Sequence, residues 1–247
     1  MKGAILAGGL GTRLRPLTLV TNKHLLPVYN KPMILYPLET LRRSGVLQVM
    51  IVCGKEHVGH FINFLGSGKQ YGMKLSYAVQ DNDVGGIADA VKCTRDFVDN
   101  DNVAVILGDN IYENDFRKEV ISFDKGAKIF LKRVKDPSRF GVAVFDKSGK
   151  KILKIEEKPE KPKSDCIQTG FYLFDKNLFS VVDTLKPSNR GQLELSDATN
   201  IYLDRDELGF SFVKGAWLDT GTFEALAEAS EWVRKREVPK SKGHKTS

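Results

Sequence analysis

Strand-length and helix-length apolar runs alternate through the first half of the chain. GAILA (residues 3–7), QVMIVC (48–53), KLSYAV (74–79) and NVAVILG (102–108) are short, continuous and rich in β-branched residues, the mark of strands buried on both faces. Between them lie KPMILYPLETLRRSG (31–45), KEHVGHFINFLGSG (55–68) and GGIADAVKCTRDFV (85–98), which read as helices. Gly45 and Gly66 are suited to stop the first two. Strand, helix, strand, helix requires parallel strands joined by crossovers, with helices on both faces of one sheet. Ligands on such sheets bind beyond the carboxyl ends of the strands.

From residue 127 the pattern changes. AKIFLKRV (127–134), GVAVFD (141–146), KILKIEEKP (151–159) and IQTGFYLFD (167–175) read as further strands, with DKSGK (146–150) as a hairpin turn around Gly149. QLELSDATNIYLDRD (192–206) and TFEALAEASEWVRKR (222–236) read as helices. In the second, Leu226, Ala229 and Val233 recur at helical spacing, and Thr222 suits a cap. No linker rich in Pro, Gly or Ser and no repeat divides the chain, so one domain is expected, its later strands extending the same sheet.

Composition narrows the class of function. No apolar run approaches the roughly 18 residues of a membrane span. The start, MKGAILAGGLGTRL, has no extended apolar core or cleavage signal and is not read as a signal peptide. Cys53, Cys93 and Cys166 show neither C-x-x-C nor metal-ligand spacing, which fits a reducing cytoplasm. Of the net charge of +7, six basic residues against Glu237 fall in the last fourteen positions. A basic end of this kind is expected to be a solvated tail, and no basic face interleaved with aromatics speaks for nucleic acid.

The first strand runs into GGLGTRLRP. Glycines at positions 8, 9 and 11 let backbone N–H groups approach an anion, and Arg13 carries a permanently charged fork. Two familiar phosphate loops do not fit. Leu14 stands where a dinucleotide fingerprint needs glycine, and Thr12-Arg13 follows Gly11 where a P-loop needs Lys and a hydroxyl residue. The glycines alone leave a plain tight turn equally open.

Their context resembles the sugar-1-phosphate nucleotidyltransferase family. The stretch Gly8-Gly9-Leu10-Gly11-Thr12-Arg13-Leu14, then Lys23 and Leu26-Pro27, matches that family's signature. YAVQ (77–80), GGIADA (85–90), LGDN (107–110), RFGV (139–142), EEKP (156–159), TGFY (169–172), LKPSNRGQLELSD (185–197) and WLDTGT (217–222) follow in family order. The chain is most similar to the branch that transfers a thymidylyl group from dTTP to glucose-1-phosphate. The resemblance implies an α/β fold of nucleotide-diphospho-sugar transferase type, with a Rossmann-like, mostly parallel but mixed central sheet flanked by helices. It divides the domain into a nucleotide-binding half (1–126), a sugar-phosphate-binding half (127–236) and the basic tail (237–247).

The resemblance also assigns roles. A sugar-phosphate oxygen attacks the α-phosphorus of a nucleoside triphosphate and pyrophosphate leaves. That chemistry needs two anions aligned and their charge offset. Gly8, Gly9, Gly11 and Thr12 cradle the triphosphate. Arg13 stabilises the departing pyrophosphate, Lys23 holds the α-phosphate, and Lys158 holds the sugar phosphate. Asp109 and Asp219 bind Mg2+, which prefers oxygen ligands. Gln80 reads the base while Gly86 admits its edge. Asn110, the backbone of Gly141, and Glu157 meet sugar hydroxyls. Trp217 either walls the pocket or packs in the core.

Four positions depart from the thymidylyltransferase pattern. His24 replaces Gln, Asp89 replaces Gln, Gln168 replaces Val, and Gln192 replaces Glu. His24 is expected to pack rather than bind. Gln168 falls beside the sugar and suits a different hydroxyl pattern, or an amino or acetamido sugar. Thymine and uracil differ by one methyl, so UTP stays open as an alternative donor. A non-catalytic sugar-nucleotide-binding regulator is the remaining rival. The resemblance further implies a homo-oligomer, dimer or tetramer. The long relatives' extra C-terminal helices have no counterpart here, so weak or absent end-product control is expected.

Overall fold

The four apolar runs of the first half pair side by side, as burial on both faces demands. The computed structural model describes residues 1–82 and 84–237; all of the tail but Glu237 lies outside them. In chain order the first half runs β1 (Lys2–Ala7), β2 (Pro27–Val28), β3 (Lys31–Pro32), α1 (Leu35–Arg43), β4 (Gln48–Gly54), α2 (Val58–Leu65), β5 (Lys74–Gln80), α3 (Ile87–Lys92), α4 (Arg95–Val98), β6 (Val103–Leu107), β7 (Asn110–Tyr112) and α5 (Arg117–Ile121). The second half adds β8 (Ala127–Arg133), β9 (Gly141–Phe145), β10 (Ile152–Glu157), β11 (Cys166–Phe174), α6 (Leu178–Asp183), α7 (Leu195–Asp204), β12 (Leu208–Phe212), β13 (Trp217–Asp219) and α8 (Phe223–Glu237).

Nine strands form one mixed sheet in the order β10-β9-β11-β6-β1-β4-β5, with β8 on β11 and β12 on β8. The four from the first half are mutually parallel, while β11 meets β6 antiparallel. Alternate residues face opposite layers. Ala4, Leu6, Val103 and Val105 pack with α3, α6 and α7, whereas Ile5, Ala7, Ala104 and Ile106 pack with α1 and α2. Among the described residues no helix is long and apolar enough to cross a membrane.

The expected helices over 31–45, 55–68, 85–98 and 192–206 are shorter than the apolar pattern suggests. The run 31–45 becomes helical only at Leu35, which puts Pro37 in the first turn, where its missing N–H costs nothing. The run 85–98 breaks between α3 and α4, where both the N–H and the hydroxyl of Thr94 turn back to the Val91 carbonyl. The expected cap of the last helix forms: Thr222 Oγ1 accepts the Ala225 N–H at 3.3 Å.

One irregularity positions the site. Along one edge of β11, Ile167 pairs with Val142 of β9, and Phe171 pairs with Ile106 of β6. Gln168, Thr169 and Gly170 lie between these pairings, so the sheet forks there. The Gly170 N–H, freed from the ladder, donates to Asn110 Oδ1 at 3.1 Å.

Candidate active site

Two adjoining pockets open along the carboxyl edge of the parallel strands. The first collects Gly8 and Gly9 after β1, Gln80 at the end of β5, Gly86 before α3, and Lys23 and Asp109. Gly86 has to be glycine: its φ is +92°, and a Cβ would approach the Leu193 carbonyl oxygen to 2.6 Å. The second pocket lies over the fork, lined by Asn110, Gly141, Glu157, Gln168, Trp217 and Asp219 with Arg13 and Arg139. Asp109, Lys158, Ile87 and Leu107 belong to both.

Asp109 sits where they meet. Lys23 Nζ reaches its Oδ2 at 2.6 Å and Asn110 Nδ2 its Oδ1 at 2.9 Å. Burial pushes the Asp109 carboxyl up, but the adjacent Lys23 ammonium and these hydrogen bonds hold it well below the usual range. Asp219 behaves oppositely. Burial and the Asp109 charge raise it, against the pull of Lys23, Arg13 and Arg139. The two carboxylates are brought together by backbone: the N–H and hydroxyl of Thr220 both donate to the Asp109 carbonyl, and β13 pairs with β7.

His24 is packed, and it also lines the first pocket. It is 2% exposed, with Asn22 Oδ1 beside its backbone N–H and its Nδ1. Burial, then the Lys23 charge, lower it to about 3, so it is a neutral ring.

Asn110 is committed to the protein. Its Oδ1 accepts from Trp217 Nε1 at 2.7 Å, from Gly170 N and from Tyr112 Oη, and its Nδ2 holds Asp109. That leaves one amide hydrogen for a ligand. Trp217 both walls the pocket and fixes Asn110.

Glu157 accepts from Ser196 Oγ at 2.9 Å and lies 3.7 Å from Lys158 and 3.8 Å from Arg190, which also bridges to Glu194. Burial, then the Glu194 charge, raise its carboxyl despite these partners. Two buried side-chain polar atoms among the described residues make no hydrogen bond, Gln168 Oε1 and Arg139 Nη2, the latter lying 3.7 Å from Asp219 Oδ2, and both residues line the second pocket. Buried polar groups are rarely left without a hydrogen bond, so both atoms are available to a polar ligand or to water. The Gln168 amide fits because residue 141 is glycine: a Cβ there would lie 2.6 Å from Gln168 Nε2.

The sequence-derived candidates thus divide between the pockets. Gly8, Gly9, Lys23, Gln80 and Gly86 line the first; Asn110, Gly141, Glu157, Gln168 and Asp219 line the second; Asp109 and Lys158 line both. Arg13 lines the second pocket with Asp219 and does not line the first, and its guanidinium lies beside Gly221. Gly11 and Thr12 line neither, and Gly11 instead backs the stem of Lys23. Sequence reasoning gave no role to Arg139, Arg190, Glu194 or Ser196. The first stands inside RFGV and the others inside LKPSNRGQLELSD, so the motifs located them without disclosing what they touch.

No group of three or more His, Cys, Asp or Glu gathers among the described residues. Asp109 and Asp219, mutually repelling at the junction, fit a hard cation that takes its other ligands from phosphate and water.

The family model for nucleotidyl transferases matches residues 2–236. Glucose-1-phosphate thymidylyltransferases of Neisseria meningitidis and Mycolicibacterium smegmatis are 44% and 42% identical, over 95% and 96% of this chain and 83% and 84% of theirs. A Bacillus anthracis protein designated a candidate glucose-1-phosphate thymidylyltransferase, crystallised with sucrose, superposes with a TM-score of 0.90 at 48% identity, covering 97% of this chain and 98% of that one. A UDP-glucose pyrophosphorylase solved with UDP-glucose shares the fold, with a TM-score of 0.82 at 24% identity over 96% of this chain and 99% of that one.

Proposed function

The chain belongs to the nucleotidyl transferase family, and on that basis we propose that it transfers a thymidylyl group from dTTP to glucose-1-phosphate, giving dTDP-glucose and pyrophosphate. The observation that carries this reading is the pair of adjoining pockets that share Asp109 and Lys158. One pocket takes the nucleotide and the other the sugar phosphate, so the attacking oxygen and the α-phosphorus meet at the shared residues. Thymidylyltransferase relatives over 40% identical support the choice of substrates.

The residues then act as follows. Gly8 and Gly9 admit the nucleotide closely, and Gln80 faces its base. Lys23 and Lys158 offset the charge of the two phosphates at the junction, and the Arg13 and Arg139 guanidinium groups add to it from the second pocket. Glu157, the last amide hydrogen of Asn110, and Gln168 orient the sugar. Asp109 and Asp219 would hold Mg2+, which would supply electrostatic neutralisation of the reacting phosphates. The same reading makes the protein a cytoplasmic homo-oligomer, dimer or tetramer, of single-domain protomers acting on small molecules. The unpartnered Gln168 oxygen favours one variant of it, a sugar-1-phosphate that offers a further donor, such as an amino sugar.

Pyrophosphate release with Mg2+ and glucose-1-phosphate, run in parallel with dTTP, UTP, CTP, GTP and ATP, tests the reading. Turnover should be fastest with dTTP, and Asp109→Asn should lower kcat by about a hundredfold or more at saturating Mg2+. Silence with every nucleotide, or a near-wild-type rate for Asp109→Asn, would refute it.

A further inference from the structure

Gln80 closes β5 with only 6% of its surface exposed, at the wall of the first pocket. Its Nε2 donates to Asp89 Oδ2 at 2.9 Å and to the Gly86 carbonyl at 3.2 Å. Both partners are oxygens that only accept, so turning the amide over would set oxygen against oxygen twice. The orientation of the side chain is therefore fixed. Its Oε1 is the atom left over: it takes no hydrogen bond among the described residues and faces the glycine loop, where a Cβ on Gly8 would lie 2.9 Å away. The Asp89 carboxylate has its place because residue 85 is glycine; it fills the space a Cβ there would need.

The geometry points to Asp89 as a positioning residue that holds Gln80 as a pure acceptor and thereby makes the first pocket select an imide base. Thymine and uracil carry an N–H at ring position 3, which an acceptor oxygen pairs. Cytosine carries a lone pair there, and two acceptors facing each other leave both unpaired in a buried site. The thymine methyl plays no part in this contact, so Asp89 separates dTTP and UTP from CTP but not from one another. The inference rests on the first pocket being the nucleotide site.

The test compares dTTP with CTP in wild type, Asp89→Asn and Asp89→Leu. Asparagine can offer an NH2 and so removes one of the two oxygens that oppose a turned Gln80 amide, leaving the Gly86 carbonyl; leucine removes the carboxylate altogether. The wild type should prefer dTTP by about a hundredfold in kcat/KM, and both variants should lose about tenfold of that preference. KM for glucose-1-phosphate and the melting temperature should hold in at least one variant, which separates positioning from general damage. A dTTP-to-CTP ratio within about twofold of wild type in both variants would overturn the inference. Equilibrium dialysis of the two nucleotides reads the same ratio without turnover. A protein that binds dTTP selectively but transfers nothing would refute the proposed reaction while leaving this inference to be decided by dialysis. Failure to bind any nucleotide would overturn both.

Discussion

Glu157 shows at the residue scale how the site sets binding against stability. Its carboxyl is raised by burial and by the Glu194 charge. Between the ordinary value of 4.5 and the raised one, the folded protein keeps a proton that the unfolded chain has released. Its contribution to stability is therefore complete below pH 4.5 and is lost as pH rises through the raised value. Glu157→Gln never ionises. It should melt above the wild type at pH 8 and level with it at pH 4.5, while the KM for glucose-1-phosphate rises about tenfold. A thermal gain at pH 4.5 that vanishes at pH 8 would contradict this sign. The motifs named Glu157, Lys23 and Asp109 from sequence, because each stands in a short matched string. They did not disclose that Lys23 lies on Asp109, 86 positions away, or that Gly141 makes room for Gln168. Such contacts depend on which strands become neighbours, and no local spacing encodes that.

At the scale of elements, the long apolar runs were legible and the short ones were not. β1, β4, β5 and β6 carry continuous β-branched stretches and form as expected. β7 and β13 have three residues each, too few to show any period, yet they join Asn110 to Asp219. The strip they form is covered by α8, whose Val233 and Ala229 pack with Val28, Met33, Tyr36 and Ile111. Val233 is 3% exposed, so Val233→Asp would bury a carboxylate among apolar side chains. Urea unfolding should show a loss of about 3 kcal/mol or more. A loss under about 0.5 kcal/mol, the range of ordinary surface changes, would mean that α8 is not a structural cover for this strip.

The whole molecule is arranged around β11. It joins the parallel half to the antiparallel half, and its break in pairing between Ile167 and Phe171 opens the second pocket beside the first. Alternation of strands and helices foretold one sheet with a site at its carboxyl edge. The fork was not legible, since a lost ladder contact leaves no trace in the composition of IQTGFYLFD. Its consequence is chemical. Two pockets that share Asp109 and Lys158 can hold two ligands side by side, and under the proposed reaction both substrates would be bound together, with no need for a covalent nucleotidyl intermediate. Initial rates of pyrophosphate release, with dTTP varied at several fixed concentrations of glucose-1-phosphate, test this most directly. Double-reciprocal lines that intersect would show a ternary complex and direct displacement, the predicted result. Parallel lines, with pyrophosphate released before the sugar phosphate binds, would contradict the account.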